Sequence, residues 1–447
     1  MSMSDSVHEI TLVNGFVLAD PRSCKVVPHG KTVINGNRIT EVNSPYPGDE
    51  ISGEVLDCAD CIILPGLVNA HTHAAMSMLR GLADDLPLNT WLNDYIFPSE
   101  GRHVAPDFVH LGTSLSAVEM ALSGITTFAD GYFFMEKAAE ATAAVGLRAI
   151  IAQGILDVPV PDNQRPEAWP ERVQAFFSNF PSNDLVSPAL FCHSPYLCSP
   201  ETLVTAKQIA EAHNCLLFSH IAETRFEVEQ IGSRYNRTPL DHIHALGILD
   251  RNFVAVHCVH ITEKEMDLAA ESGAGVVHCP ESNMKLASGA CPSWDLVRRG
   301  VKLAIGTDGP ASNNNLDLFE EMRSASFLSK LVTGNPEALD APTLLRMATI
   351  GGAEALGLQD RIGSLELGKL ADVIVIDLSK PHLMPLFDPV SHLIYSAKGS
   401  DVRDVLVNGR FVVRNRNVMT VDTIGLYDEI RGLAKKIAGA LDTSGRR

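Results

Sequence analysis

Two kinds of hydrophobic pattern share the 447 residues and divide the chain between them. Near both ends, short runs of alternating apolar and polar positions surround Asn-Gly pairs: residues 10–18 around Asn14-Gly15, 31–39 around Asn35-Gly36 and 405–413 around Asn408-Gly409, with a further apolar run at 371–377. Asn-Gly between apolar runs is the strongest short hairpin signal, because both residues tolerate the positive φ that a two-residue turn requires. The two ends therefore predict one small β-sandwich domain built from residues 1–64 plus 360–447.

The middle, 65–359, reads differently. Eight apolar, β-rich runs occur at 66–71, 124–130, 148–156, 186–193, 215–220, 253–257, 273–278 and 302–308. Stretches of helical period lie between them, among them 106–123, 200–213, 262–272 and 316–331. Strand and helix in alternation predict a parallel sheet. Eight such units fit an α/β fold of the (β/α)8 TIM-like barrel type better than an open doubly wound sheet.

Composition narrows the function classes. A hydrophobic share of 45% and a charged share of 20% are those of an ordinary globular protein. No apolar run is long enough to span a bilayer, and the start Met1-Ser2-Met3-Ser4-Asp5-Ser6 lacks the layout of a signal peptide, so a cytoplasmic protein without a membrane partner is expected. The net charge of −18 leaves no basic surplus for nucleic-acid phosphate. Nine scattered cysteines predict buried free thiols in a reducing compartment, and Cys58-Ala59-Asp60-Cys61, with no second half, predicts neither a metal nor a redox site.

The candidate chemistry starts at Leu64-Pro65-Gly66-Leu67-Val68-Asn69-Ala70-His71-Thr72-His73. In an extended chain, residues two apart share a face, so His71 and His73 can grip one metal ion. A second His-x-His pair, His242 and His244, sits in a helical pattern, where two residues turn by about 200° and the imidazoles diverge. His71, His193, His220, His257 and Asp308 all end predicted strands, at the rim where such barrels place their active sites. His71, His73, His220 and Asp308 supply three imidazoles and a carboxylate, the donor set of a hydrolytic zinc site. Glu223, three residues after His220, is placed for general acid/base work or, alternatively, as a helix N-terminal carboxylate favoured by the dipole. Asp308 has a similar second reading as a helix cap. His257 would orient water, whereas His260 and His278 are expected to be structural.

These residues carry a resemblance. The segment Pro65 to His73, His220-x-x-Glu223, Val256-His257-Cys258-Val259-His260 and Gly306-Thr307-Asp308-Gly309 resemble the amidohydrolase superfamily. Within it, Arg80-Gly81-Leu82-Ala83-Asp84-Asp85-Leu86-Pro87-Leu88, Trp91, Pro98-x-Glu100, His193-Ser194-Pro195-Tyr196, the segment 280–289 and Asp308-Gly309-Pro310-Ala311-Ser312-Asn313-Asn314 resemble the 5′-methylthioadenosine/S-adenosylhomocysteine deaminases. The resemblance runs from about residue 9 to 415. It implies one divalent metal ion per chain, usually Zn2+, on His71, His73, His220 and Asp308, with Glu223 as proton shuttle and His257 and Asp308 as its catalytic neighbours. It also implies that Glu100 binds ribose hydroxyls and that His193 contacts substrate. Trp91 would lie near the nucleoside or serve as a core or lid aromatic, and the 80–100 region would form a lid or a subunit contact.

Gln153 stands where a relative has an arginine, and Arg165 is the match for a second arginine in the loop that follows; both positions would face the part of the substrate beyond the ribose. A smaller 5′-thioether, or adenosine itself, is then the expected preference. Two-metal members bridge their ions with a modified lysine on strand 4, which Leu190-Phe191-Cys192-His193 does not offer, so a single metal is implied. The expected activity is zinc-dependent hydrolytic deamination of the adenine ring of 5′-methylthioadenosine, S-adenosylhomocysteine or adenosine. The same metal chemistry on guanine, a pterin or a triazine is the alternative, a non-catalytic scaffold is the remote one, and a homo-oligomer is compatible with either.

Overall fold

The computed structural model describes residues 8–45, 53–86 and 90–443. Parts of the expected β domain (1–7, 46–52 and 444–447) and of the 80–100 region (87–89, with Pro87 and Leu88 of its motif) lie outside the described residues.

Both chain ends enter one nine-stranded mixed sheet. The N-terminal part supplies β1 (Glu9–Leu18), β2 (Val26–Asn35), β3 (Arg38–Pro45), β4 (Glu54–Asp57) and β5 (Cys61–Pro65). The C-terminal part supplies β14 (Val373–Asp377), β15 (Val402–Val407), β16 (Arg410–Arg414) and β17 (Asn417–Val418), and β14 joins the two halves by pairing antiparallel with β5. Their alternating positions bury Ile10, Leu12, Val17, Ile34, Val373, Val375 and Leu406 in a core of their own.

Asn35-Gly36 and Asn408-Gly409 do turn the chain between paired strands. Asn14-Gly15 does not: β1 runs straight through it. There Asn14 takes φ 67° and the pairing with β2 shifts register on both sides of Gly15. A Cβ on Gly15 would lie 2.9 Å from Ile63 Cδ1. The pair is thus a bulge that lets β5 come close, using the same conformational freedom that a turn would have used.

The barrel strands between these halves are β6 (Leu67–Thr72), β7 (Ile125–Tyr132), β8 (Arg148–Ile155), β9 (Val186–Cys192), β10 (Leu217–Ile221), β11 (Phe253–His257), β12 (Gly275–His278) and β13 (Lys302–Ile305). They are parallel and each pairs with its sequence neighbours. Strands covered on both faces read as continuous apolar runs, and Val68, Ala70, Ile150, Ala189, Phe218, Val254 and Val277 fill the interior. The predicted helices appear as Pro106–Leu122, Pro200–Ala212, Glu263–Ser272 and Leu318–Thr333. Thr262 and Glu265 form a capping box at the third of these.

First and last strands meet just beyond the end of β13. The Thr307 amide donates to Asn69 Oδ1 (3.0 Å), the Asn69 amide donates to Thr307 Oγ1 (2.8 Å), and Asp308 N donates to the His71 carbonyl (3.1 Å). A Cβ on Gly306 would lie 2.9 Å from both the backbone N and the O of His71, so this approach needs a glycine. Barrel closure and the candidate ligands therefore occupy the same few residues.

Candidate metal centre and active-site cavity

β6 ends at Thr72, so only His71 is in the strand; His73 follows at φ −122°, ψ 73°. The pair still converges, because this extended-side backbone carries the second imidazole round to the same face. His220 is within β10, and Asp308 lies three residues past β13 at φ 58°. His71, His73, His220 and Asp308 each offer one donor atom, all within 4.8 Å of one another. Among the described residues they are the one such group of three or more donors. His242 and His244 stay in a helix, Pro239–Ala245, and take no part.

The donor chemistry of this cluster fits a cation. His73 Nδ1–H donates to the Gly131 carbonyl, which leaves the lone pair on Nε2. That nitrogen lies 3.4 Å, and His71 Nε2 3.3 Å, from Asp308 Oδ1. Lone pairs facing a carboxylate oxygen repel unless a positive charge sits among them. His71 Nε2 and both ring nitrogens of His220 are buried without a hydrogen-bond partner among the described residues. Burial drives His71 down to about 4 and His220 well below the usual imidazole range, so both are neutral and able to ligate. Burial pulls Asp308 upward, but its close approach to His71 and the surrounding imidazoles more than offset it and hold the carboxylate well below its ordinary value.

A second layer orients these groups. Ser282 Oγ donates to Asp308 Oδ2 at 2.6 Å and Ser312 Oγ does so at 3.1 Å, turning Oδ1 toward the histidines. Asn283 Nδ2 donates to His257 Nδ1 at 3.1 Å, which puts the proton of that neutral ring on Nε2. His257 Nε2 stands 3.8 Å from Glu223 Oε2. Asn69, Ser282, Asn283 and Ser312 all fall in segments that the sequence singled out, yet none carried a role there, since a hydroxyl or amide shows no spacing signature of its own.

The two readings of Glu223 separate in the structure. The following helix is Arg225–Tyr235, capped by Thr224, and its first-turn carboxylate is Glu227, which accepts from the amides of Ala222 (2.8 Å) and Glu223 (3.0 Å). Glu227 thus takes the N-terminal role, and Glu223 is left facing the cavity, 19% exposed. Burial first, and then the charge of Asp308, push Glu223 up to about 8, so it can hold a proton at neutral pH. Asp308 caps no helix either; Asp317 caps the next one. Positive φ occurs at Ala222 (49°), His257 (73°), Cys258 (50°) and Asp308, so strained backbone is part of this site.

One cavity of about 540 Å³ is lined by His73, His193, His220, Glu223, His257 and Asp308 together with Trp91 and Glu100. Trp91, 6% exposed, opens the helical stretch Trp91–Ile96, and Glu100 lies in Phe97–His103, so this part of the 80–100 region forms cavity wall. Burial raises Glu100 to about 7 although the Tyr132 hydroxyl donates to it at 2.6 Å.

Gln153 and Arg165 are not in the wall. The Gln153 amide is drawn to Asp162 Oδ2 (2.9 Å) and the Gly154 carbonyl (3.1 Å), and Arg165 is exposed at the start of a short turn. Lys207 is in a helix and bonds Asp250, away from the donor cluster. The Cys58 and Cys61 thiols face the Arg403 guanidinium and belong to no donor group.

Comparison with known proteins agrees with this arrangement. The profile of the Amidohydrolase family matches residues 62–412. A 5-methylthioadenosine/S-adenosylhomocysteine deaminase of Syntrophobacter fumaroxidans is 44% identical over 97% of this chain and 100% of its own. A 5′-deoxyadenosine deaminase of Methanothermobacter thermautotrophicus is 38% identical over 97% of this chain and 100% of its own. Among solved structures, an adenosine deaminase from Xanthomonas campestris with bound zinc superposes with a TM-score of 0.93 at 37% identity, covering 97% of this chain and 99% of that one. With the profile spanning the barrel and relatives matched end to end, the chain belongs to the amidohydrolase family.

Proposed function

We propose that this chain hydrolyses the exocyclic amine from the adenine ring of a nucleoside such as 5′-methylthioadenosine, S-adenosylhomocysteine or adenosine, releasing ammonia and the inosine-type product. The observation that carries the reading is the four-donor cluster sharing one cavity with Glu223 and His257. The names of the relatives support adenine as the ring. We also take the barrel unit to be 65–359 and the terminal unit to be 1–64 plus 360–447. Nine free thiols support work in the cytoplasm, and among the described residues no helix is long and apolar enough to cross a membrane.

His71, His73, His220 and Asp308 would hold one divalent ion, which when bound supplies Lewis-acid activation of water. Glu223 takes the proton that water gives up as its oxygen bonds to C6 and delivers it to N1. It then passes the second proton to the amine as the C6–N bond breaks, so ammonia leaves and the ring keeps the N1 proton. His257, with Nε2–H directed by Asn283, donates to the oxygen added at C6. Glu100 would accept from the ribose hydroxyls through the oxygen that Tyr132 leaves free, His193 would contact the nucleoside, and Trp91 would stack beside it.

An ultraviolet assay tests this: adenine absorbance of methylthioadenosine should give way to that of hypoxanthine. Glu223→Gln should lower kcat by about 10²- to 10⁴-fold with metal content kept. Absence of activity on every purine nucleoside contradicts the proposal.

A further inference from the structure

The cavity wall is chemically divided. Strand ends and two helices contribute most of its polar groups, whereas the loop after β8 contributes Leu156, Val158, Pro159, Val160 and Pro161 with Gln164, and Phe97 adds a further apolar face. Among the described residues, no lysine or arginine lines it anywhere. Its acidic groups are the carboxyls of Glu100, Glu223, Glu227 and Asp308.

The loop is held by a clamp that uses up the charge available to it. Asp162 Oδ2 accepts from Arg172 Nε, Gln153 Nε2 and the Phe134 amide, each at 2.9 Å, and Arg172 Nη2 also donates to Glu136 at 2.6 Å. Both charged ends of the Asp162–Arg172 pair are thus engaged in fixing the loop, which presents aliphatic side chains to the cavity together with Gln164, whose amide donates back to the Val160 carbonyl at 2.8 Å. Neither Gln153 nor Arg165 reaches that wall, so the inference rests on the wall itself.

Given the proposed function, on which this rests, we propose that the cavity selects adenine nucleosides with an uncharged, apolar 5′ group, such as a methylthio or longer alkylthio substituent, over those ending in an α-amino acid. An alkyl chain laid on Val158, Val160 and the two prolines leaves water without losing any hydrogen bond. A carboxylate in the same place loses hydration and meets no cationic side chain among the described residues of the wall. Val158, 38% exposed, and Phe226, 45% exposed, mark where the wall opens to solvent, so the penalty is moderated rather than absolute.

The test compares kcat/KM for 5′-methylthioadenosine, 5′-butylthioadenosine, 5′-(3-carboxypropylthio)adenosine and S-adenosylhomocysteine on the metal-loaded chain. The butylthio compound should fall within about 3-fold of the methylthio compound, and both carboxylates at least about 10-fold below it. In Val158→Arg the gap between butylthio and carboxypropylthio should narrow. Equal kcat/KM for those two compounds in the unsubstituted chain overturns the inference and leaves the deaminase reading standing. An unchanged gap in a folded, active Val158→Arg also counts against the wall as its source. No turnover of any of the four overturns the deaminase reading itself and this inference with it.

Discussion

Asp308 shows how much of a site can hang on side chains that carry no signature. Its own identity was legible, because an acidic residue at the end of a predicted eighth strand stands out against the apolar run before it. The two serines that aim it were not: Ser282 reaches Asp308 Oδ2 from the short helix Pro280–Lys285 and Ser312 from the turn just after Asp308 itself. Gln153, in a suggestive strand, has its amide captured by Asp162 from the next loop, a contact with no signature in the sequence either. Removing the shorter hydroxyl contact, in Ser282→Ala, should lower metal affinity or kcat by about 10- to 100-fold while the fold is kept. Metal retention through dialysis and the steady-state rate both report this, and an unchanged enzyme would mean that Asp308 needs no such support.

At the scale of elements, parallel barrel strands are buried on both faces, so their apolar runs are continuous and all eight could be located with bounds shifted by only a few residues. What alternation does not encode is how closely two strand ends approach. Asn14-Gly15 and Gly306 both mark close approaches, and neither pattern distinguishes that use of glycine from a turn. Placing a methyl group at Gly306 drives it against the His71 backbone at 2.9 Å, which wedges β13 away from β6. Gly306→Ala should therefore destabilise the chain by about 1 to 3 kcal/mol and loosen the metal site along with it. Urea unfolding with and without metal checks both effects; full stability would mean that the barrel end yields without strain.

Across the whole molecule, the fold collects buried acids and buried imidazoles whose proton affinities are displaced in opposite directions. Glu100, Glu223 and Glu227 are raised by burial to about 7, 8 and 8 from an ordinary 4.5, so in the metal-free chain they favour the folded state at low pH and that contribution is lost as pH rises toward 8. His71, His193 and His278 are lowered by burial to about 4, 3 and 3 from 6.5, and their contribution is lost as pH falls below 6.5. Above 6.5 the acids act unopposed, so the thermal midpoint of the metal-free protein should fall between pH 6.5 and 8, and a flat or rising midpoint in calorimetry would contradict these burial effects. The two-part architecture and the four-donor set were both readable from residue order, since each donor lies at or just beyond the end of a strand. Which ring reaches them depends on the cavity, whose wall is assembled from distant loops. The most direct test of a single-metal adenine aminohydrolase is therefore to strip the chain with a chelator, add zinc stepwise and follow the loss of adenine absorbance from methylthioadenosine. The rate should rise linearly and break at one equivalent of zinc per chain; a break at two equivalents, or activity that needs no metal, would contradict the account.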